Sequence, residues 1–187
     1  MGAKFEQCPL PGIVTVTPDV YPDSRGWFSE SYHAQRYFEN GIKAVFVQDN
    51  RSRSSKNVLR GLHYQLHRPQ AKLVFCTYGR IWDVAVDIRW GSPTFGKWFG
   101  TELSAENRKQ LFIPGGFAHG FCVLSDEAEI FYKCSEFYDP KDDRGFLWNE
   151  PAFGVEWPVT NPILSPKDTI RIPVEKLSEA DFPHVAF

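Results

Sequence analysis

Apolar residues occur along this chain in short segments, separated by glycine, proline and polar residues. Segments of this kind are typical of β-strands, and their number is typical of a β-sandwich or barrel. The pattern predicts about nine strands, which is enough for two packed sheets. The predicted strands are Gly12–Thr17, Lys43–Gln48, Val58–Gln65, Ala71–Tyr78, Arg80–Ile88, Lys97–Leu103, Leu111–Pro114, His119–Leu124 and Ala128–Ser135.

The segment Arg80–Ile88 has the clearest alternation of side chains. Trp82 begins a row of apolar residues on one face, whereas Asp83 and Asp87 lie on the other face with Ile81. Because successive side chains of a strand point to opposite faces, this pattern predicts a half-buried strand.

Helical periodicity is scarce. Two short peripheral helices are predicted at Ala34–Asn40, ended by Gly41, and at Ser104–Lys109, where Ser104 caps the first turn. The proline-punctuated segment Pro158–Phe187 is expected to lie as an arm on the domain. We find no repeat or linker and therefore expect one all-β domain over residues 1–187.

Composition narrows the class of protein. The net charge of -2 and pI near 6.2 argue against a nucleic-acid partner, which needs a broad basic face. No apolar run resembles a signal peptide or a membrane span, so we expect a cytoplasmic protein with no membrane partner. The four cysteines are far apart and form no C-x-x-C pair, which favours buried thiols over a zinc or redox site.

Charge is unevenly distributed along the chain. Between Arg51 and Trp82 there are seven basic residues and no acidic one, which indicates a local anion site. Between Asp126 and Glu156 there are nine acidic and three basic residues, a balance typical of a solvated surface.

The strand VLRGLHYQ contains the first candidate for chemistry. Alternation places His63 on one face with Leu59, Gly61 and Gln65, and the missing side chain of Gly61 would leave room for a ligand. A cavity-facing histidine can act as a base. Taken alone, however, the strand favours a core histidine satisfied by one hydrogen bond.

Tyr132 is the second candidate. It shares a predicted inward face with Ala128, Ile130 and Cys134. A buried phenol in an open barrel can pack against its neighbours or donate a proton, and the pattern alone favours packing.

The segment PGGFAHG fits half of the metal-binding motif of cupin barrels, with His119 in the position of a ligand. The companion H-x-H-x₃₋₄-E motif is missing, because His63 and His67 have no paired carboxylate. The metal site is thus incomplete, and we predict neither a metal nor a cofactor.

Eight ordered sequence blocks stand out along the chain: DSRGWFSESY, FVQDN, VLRGLHYQ, QAKLV, DVAVDIRWGSPTFGKW, LSAENRKQLFIPGGFAHGF, YKCSEFYDP and ILSPKD. Together they resemble the dTDP-4-dehydrorhamnose 3,5-epimerase family, with a match from about Gly12 to Asp168. The resemblance implies a cupin-type jelly roll, a homodimer with exchanged strands, and inversion of C3 and C5 of a dTDP-linked 4-keto-6-deoxy sugar without a cofactor.

The resemblance also implies roles for individual residues. His63 matches the family's proton acceptor, and Asp168 matches the carboxylate that orients and stabilises its imidazolium. Lys72 matches the residue that meets the oxyanion at C4, and Tyr132 matches the proton donor on the opposite face. The implied substrate-binding residues are Arg25, Glu30, Gln48, Asn50, Arg60, Lys72, His119, Tyr138, Asp143 and Lys167.

Two of these positions leave alternatives open. Strand alternation places Arg60 opposite His63, so either Gly61 marks a bulge or Arg60 reaches another part of the ligand, across a dimer. Asp143 stands beside Asp142, and either could occupy the matching position, with a structural role for Asp143.

The activity itself also has alternatives. Enzymes that invert only C3 or only C5, and ketoisomerases, share the scaffold. A domain that merely binds a sugar nucleotide, or a metal-dependent cupin dioxygenase, would be a different class of protein. The presence of both His63 and Asp168 argues against a mere binding domain, and the missing metal motif argues against the dioxygenase.

Overall fold

The computed structural model describes residues 2–185, which form thirteen strands, one α-helix and three 3-10 helices. The strands are β1 (Ala3–Gln7), β2 (Val14–Pro18), β3 (Tyr21–Asp23), β4 (Gly26–Phe28), β5 (Gln48–Ser55), β6 (Leu59–Gln65), β7 (Lys72–Tyr78), β8 (Arg80–Asp87), β9 (Trp98–Ser104), β10 (Gln110–Ile113), β11 (Phe117–Val123), β12 (Glu127–Cys134) and β13 (Asp143–Gly145). The helix α1 spans Ala34–Glu39, and the 3-10 helices span Pro166–Thr169, Val174–Lys176 and Glu179–Asp181.

Two antiparallel sheets form the body of the protein. One has six strands in the order β1-β2-β10-β7-β12-β5, and the other has five in the order β13-β6-β11-β8-β9. After β5 the chain passes repeatedly from one sheet to the other, at each step from β5 to β8 and at each step from β9 to β13, as in a jelly roll. The predicted all-β jelly roll is confirmed.

Strand β8 is buried on both faces, so the prediction of a half-buried strand is wrong. Ile81 and Ala85 pack in the core between the sheets. On the outer face, Val84 packs in a second core with Phe146 and Phe182 from the later part of the chain. The C-terminal segment thus forms a third layer, which alternation within β8 could not reveal because its apolar side chains come much later in the sequence.

Helix α1 confirms the first helix prediction. The side chain of His33 accepts a hydrogen bond from Arg36 N at the first turn, and Gly41 follows the helix with a φ of +93°. Tyr37 anchors the helix on the outer face of the six-stranded sheet, where its hydroxyl donates to Gln110 Oε1 at 2.8 Å.

The second predicted helix, Ser104–Lys109, is a turn. Ser104 Oγ accepts a hydrogen bond from Asn107 N, and Asn107 Oδ1 accepts one from Ser104 N, both at 3.0 Å. Arg108 then adopts a φ of +53°, which ends any helical path. Ser104 is therefore a cap, but the cap closes a single turn.

The predicted strand Lys43–Gln48 is wrong, because β5 begins only at Gln48, the last residue of that prediction. It pairs along its whole length with β12, and its sequence, QDNRSRSS, has no apolar residue. Hydrophobic periodicity could not predict this strand because its inward side chains line a cavity rather than a core. Strands β1, β3, β4 and β13, each of three to five residues, are also absent from the prediction.

The predicted C-terminal arm is confirmed for residues 158–185, whereas Ala186 and Phe187 lie outside the described residues. The arm is attached to the sandwich beside β6, where Leu59 N donates to Ile163 O at 3.0 Å.

Among the described residues, no helix has the length and apolar character needed to cross a membrane. Three of the cysteines are buried as predicted, and Cys8 is partly exposed. The assignment of one domain to residues 1–187 stays a prediction.

Candidate active site

A cavity between the two sheets collects most of the predicted site residues. It consists of adjoining spaces of about 450 and 310 Å³ that share His63, Lys72 and Tyr132 in their walls. Strands β5, β7 and β12 form one wall, β6 and β11 the other, and the C-terminal arm closes one side. The predicted residues that line it are His63, Lys72, Tyr132, Asp168, Gln48, Asn50, Arg60, His119, Tyr138, Asp143 and Lys167.

A β-bulge in β6 brings Arg60 to the same cavity as His63. His63 pairs with His119 and Arg60 pairs with Phe121, so three residue steps on β6 match two on β11. The extra residue reverses the alternation between the two positions. Of the two explanations offered by the sequence, the bulge at Gly61 is correct, and both side chains line one space.

Gly61 makes room for a strand and not for a ligand, so that part of the prediction is wrong. Its φ is +125°, and a Cβ added there would lie 2.5 Å from Gly120 Cα and 2.7 Å from His119 O. Only glycine fits at this close approach of β6 to β11.

His63 and Asp168 form a hydrogen-bonded pair, although they are 105 positions apart in the chain. His63 Nε2 lies 2.6 Å from Asp168 Oδ1, and Ser165 Oγ donates to Asp168 Oδ2 at 2.8 Å. Burial raises the pKa of Asp168, but the bonds from His63 and Ser165 outweigh burial and hold the pKa below its usual value. Asp168 is therefore an anion, and burial lowers the pKa of His63 despite that anion. The pair at rest is a neutral imidazole and a carboxylate.

Lys72 and Tyr132 face the cavity from neighbouring strands, β7 and β12. Burial lowers the pKa of the Lys72 ammonium, and the neighbouring Cys134 and Asp83 oppose this effect. Burial raises the pKa of the Tyr132 phenol, which therefore keeps its proton at neutral pH. The prediction that Tyr132 shares the inward face of Ala128 and Cys134 is confirmed, because both of these residues are buried.

His119 is held by a second carboxylate, Asp83. His119 Nε2 lies 3.0 and 3.1 Å from the two oxygens of Asp83, and both residues are buried. Asp83 is not among the site residues predicted from the sequence. Its signal was a carboxylate on the same strand face as Ile81 and Ala85, where a charge requires a partner.

The inward face of β5 is a row of polar side chains. Gln48 and Asn50 are joined by a hydrogen bond of 3.0 Å, and Ser52 also lines the cavity. Ser54 Oγ accepts hydrogen bonds from Nε and Nη2 of Arg60, at 3.1 and 3.0 Å. Neither serine is predicted from the sequence, because serine in a polar segment has no distinctive pattern.

Asp142 and Asp143 make different contacts, and only Asp143 lines the cavity. Asp142 accepts hydrogen bonds from the backbone N–H groups of His67 and Arg68, so it holds a turn. Asp143 lines the cavity and forms an ion pair with Lys167.

Arg25 and Glu30 are not brought to the cavity of their own chain. Arg25 lies on the β3–β4 hairpin, with 88% of its side chain exposed, and its guanidinium binds Asp23. Glu30 forms an ion pair with Arg36 of helix α1. The hairpin pairs only with itself within the described residues, so it does not reach the cavity walls.

Within residues 2–185, no group of three or more His, Cys, Asp or Glu side chains is arranged to hold a metal ion. His63 and His119 instead bind separate carboxylates, Asp168 and Asp83. The absence of a metal cofactor stays a prediction.

Comparison with known proteins identifies the family. The family model described as dTDP-4-dehydrorhamnose 3,5-epimerase matches residues 7–176. A dTDP-4-dehydrorhamnose 3,5-epimerase from Shigella flexneri is 54% identical over 176 residues, which are 92% of this chain and 95% of that protein. A dTDP-4-dehydrorhamnose 3-epimerase from Streptomyces niveus is 40% identical over 161 residues, which are 85% of this chain and 78% of that protein.

The fold comparison agrees with the sequence comparison. The crystal structure of dTDP-6-deoxy-D-glucose-3,5-epimerase from Legionella pneumophila, in complex with dTDP-4-keto-L-rhamnose, superimposes with a TM-score of 0.95. It is 44% identical to this chain, and the match covers 100% of both chains. The chain therefore belongs to the dTDP-4-dehydrorhamnose 3,5-epimerase family.

Proposed function

We propose that the protein is an isomerase that inverts C3 and C5 of dTDP-4-dehydro-6-deoxy-D-glucose, giving dTDP-4-dehydro-L-rhamnose. We base the proposal on the 2.6 Å hydrogen bond between His63 and Asp168 in a cavity that also presents Lys72 and Tyr132. Family membership supports the substrate class. A nucleotide-sugar substrate also supports the cytoplasm as the site of action.

His63 is the base in this proposal. With Nε2–H donating to Asp168, the neutral imidazole carries its lone pair on Nδ1, where it can accept a proton from the carbon beside the ketone. Asp168 then stabilises the imidazolium that forms. Because burial lowers the pKa of His63, the imidazole is neutral and ready to accept a proton at physiological pH.

Loss of the proton creates negative charge on the C4 oxygen. Lys72 presents its amino group on the cavity wall, and although burial lowers its pKa, negative charge developing on the C4 oxygen favours the protonated, cationic form. Charge stabilisation is strong where water is largely excluded. Tyr132 keeps its proton and lines the same space from β12, so it can return a proton to the opposite face of the carbon. Inversion results when removal and return occur on opposite faces.

The diphosphate is assigned to Arg60 and His119. Ser54 holds the guanidinium of Arg60, and Asp83 holds the imidazole of His119, so both side chains are oriented before substrate arrives. Guanidinium groups bind phosphate oxygens through paired hydrogen bonds. The row from Gln48 to Ser52 supplies polar partners for the rest of the nucleotide.

We further propose a homodimer in which each β3–β4 hairpin reaches the cavity of the partner. The hairpin carries Arg25 and two large exposed apolar side chains, Trp27 at 61% and Phe28 at 57%. Exposed aromatic residues of this size on a short hairpin favour burial against another chain.

Sedimentation velocity determines whether the protein is a dimer in solution. Mixing inactive Arg25→Ala and His63→Ala chains should restore activity, because one site of the mixed dimer is then intact, and a mixture that stays inactive contradicts the exchange.

The reaction is tested by proton NMR of dTDP-4-keto-6-deoxyglucose in deuterated water with catalytic enzyme and no added metal. Loss of both the C3 and C5 proton signals, with formation of dTDP-L-rhamnose when a 4-keto reductase and NADPH are added, supports the double epimerase. Loss of one signal identifies a single-site epimerase, the activity named for the relative from Streptomyces niveus. The absence of exchange, with nucleotide binding retained, identifies a binding protein.

A further inference from the structure

Arg171 contacts the carboxylate of the catalytic pair from outside the cavity. Its Nη2 lies 3.4 Å from Asp168 Oδ1, the same oxygen that lies 2.6 Å from His63 Nε2. The side chain of Arg171 is 12% exposed. Among the described residues, it forms its ion pair with Asp168. Arg171 lines a separate space of about 270 Å³ with Tyr64 and Gly145.

The guanidinium of Arg171 packs against strand β13, at the residue that pairs with His63. Gly145 pairs with His63 across the two strands, and a Cβ added to Gly145 would lie 3.0 Å from Arg171 Cζ. The guanidinium therefore packs on the bare backbone of the residue that faces His63 in the sheet. A Cβ at position 145 would also lie 2.3 Å from Leu62 O, so glycine is required there and leaves the space that the guanidinium occupies.

We propose that Arg171 is a positioning residue that fixes Asp168 and limits how strongly this carboxylate attracts a proton to His63. The inference rests on the proposed role of His63 as the base. Asp168 Oδ1 is shared between the guanidinium and the imidazole, so the imidazolium receives less stabilisation than it would from an otherwise unpaired carboxylate. The consequence is a base that stays deprotonated at lower pH.

Other charged groups lie near the His63–Asp168 pair, but Arg171 is the one in contact with Asp168 from outside the cavity. Lys167, on the same arm, is engaged by Asp143. Burial is the main cause that lowers the pKa of His63, Asp168 opposes it, and the charges of Arg171 and Lys167 add to it. The other titratable or charged groups that face the cavity are Arg60, Tyr64, Lys72, His119, Tyr132 and Tyr138.

The test compares Arg171→Met and Arg171→Gln, which remove the charge, with Arg171→Lys, which keeps it. Arg144→Met is the matched control, because Arg144 lines the same outer space but donates to the carbonyl groups of Lys141 and Asp143. Two quantities are measured: the titration of the His63 imidazole by NMR of histidine-labelled protein, and the pH profile of kcat/KM for deuterium exchange. The first requires no turnover, so it decides the inference even if the protein is not an epimerase.

We expect both neutral variants to titrate His63 at higher pH than the wild type does, and to lose activity selectively on the acid side of the profile. Below both midpoints, each unit of displacement lowers kcat/KM by about tenfold relative to the wild type. Arg171→Lys should move the profile less, and Arg144→Met should leave it unchanged. A uniform loss of activity at every pH, with an unmoved His63 titration, would show that Arg171 only holds the arm in place. Should Arg171→Met fail to fold, Arg171→Gln decides between the same outcomes.

Discussion

Replacing Asp168 by Asn removes the charge that we propose stabilises the His63 imidazolium, while nearly preserving the shape of the side chain. The two groups are in direct contact at 2.6 Å, and only 3% of the Asp168 side chain is exposed. With charge centres about 4 Å apart and an effective dielectric constant of about 20, the attraction between them is about 4 kcal/mol. This energy corresponds to about a thousandfold in rate.

Water reduces that figure, because 32% of the His63 side chain is exposed. We therefore expect Asp168→Asn to lower kcat for proton exchange by about 10² to 10³, with a smaller change in KM, because the attraction develops only when the imidazolium forms. Deuterium incorporation at C3 and C5, followed by NMR at saturating substrate, measures the loss.

Ser165→Ala provides the comparison, because it removes one hydrogen bond to Asp168 Oδ2 and keeps the charge. A lost hydrogen bond of about 1 kcal/mol predicts a decrease of about fivefold. If Asp168→Asn retains more than a tenth of wild-type kcat while His63→Ala is inactive, then His63 works without its carboxylate and the reasoning fails.

Further expectations concern neighbouring positions. Tyr132→Phe should retain exchange better than net inversion, because it removes the proton donor and keeps the base; equal losses measured by NMR would contradict that role. Gly61→Ala should destabilise the protein by about 3 kcal/mol, or about 10 °C in Tm, through strain and a steric clash, whereas Gly91→Ala, with φ of +81° and open space, tests strain alone. Arg60→Met should raise KM by about tenfold to a hundredfold with little change in kcat; a pure kcat effect would exclude phosphate binding. Because burial lowers the pKa of His63 from its ordinary value of 6.5, kcat/KM should fall towards acid pH with a midpoint below 6.5, and a midpoint above 6.5 would be inconsistent.

The sequence predicted those parts of the site that follow strand alternation or belong to distinctive blocks. The alternating segment that ends at Cys134 correctly placed Tyr132 on the inward face. The blocks containing His63 and Asp168 identified a pair that the fold brings into contact across 105 positions. No local pattern could have predicted that contact, which entered through resemblance to a family.

The missed features depend on tertiary structure. Strand β5 has polar side chains because it lines a cavity, so its sequence resembles a loop. Asp83 reaches His119 from the neighbouring strand β8, so strand pairing decides that contact. Ser54 reaches Arg60 from the opposite sheet, so that contact depends on how the two sheets pack. Arg171 has no sequence signal, because its position depends on the approach of the arm to β13.

The distance along the chain between His63 and Asp168 has a consequence for synthesis of the protein. The last strand of the described residues, β13, ends at Gly145, and Asp168 comes 23 residues later. At about 5–20 residues per second, the ribosome needs roughly one to five seconds to add that segment. A nascent or truncated chain that ends after β13 can contain every described strand of both sheets and His63, yet lack Asp168. Under the proposed mechanism, full turnover therefore reports that the arm has been both synthesised and docked, which folding of the sheets alone does not.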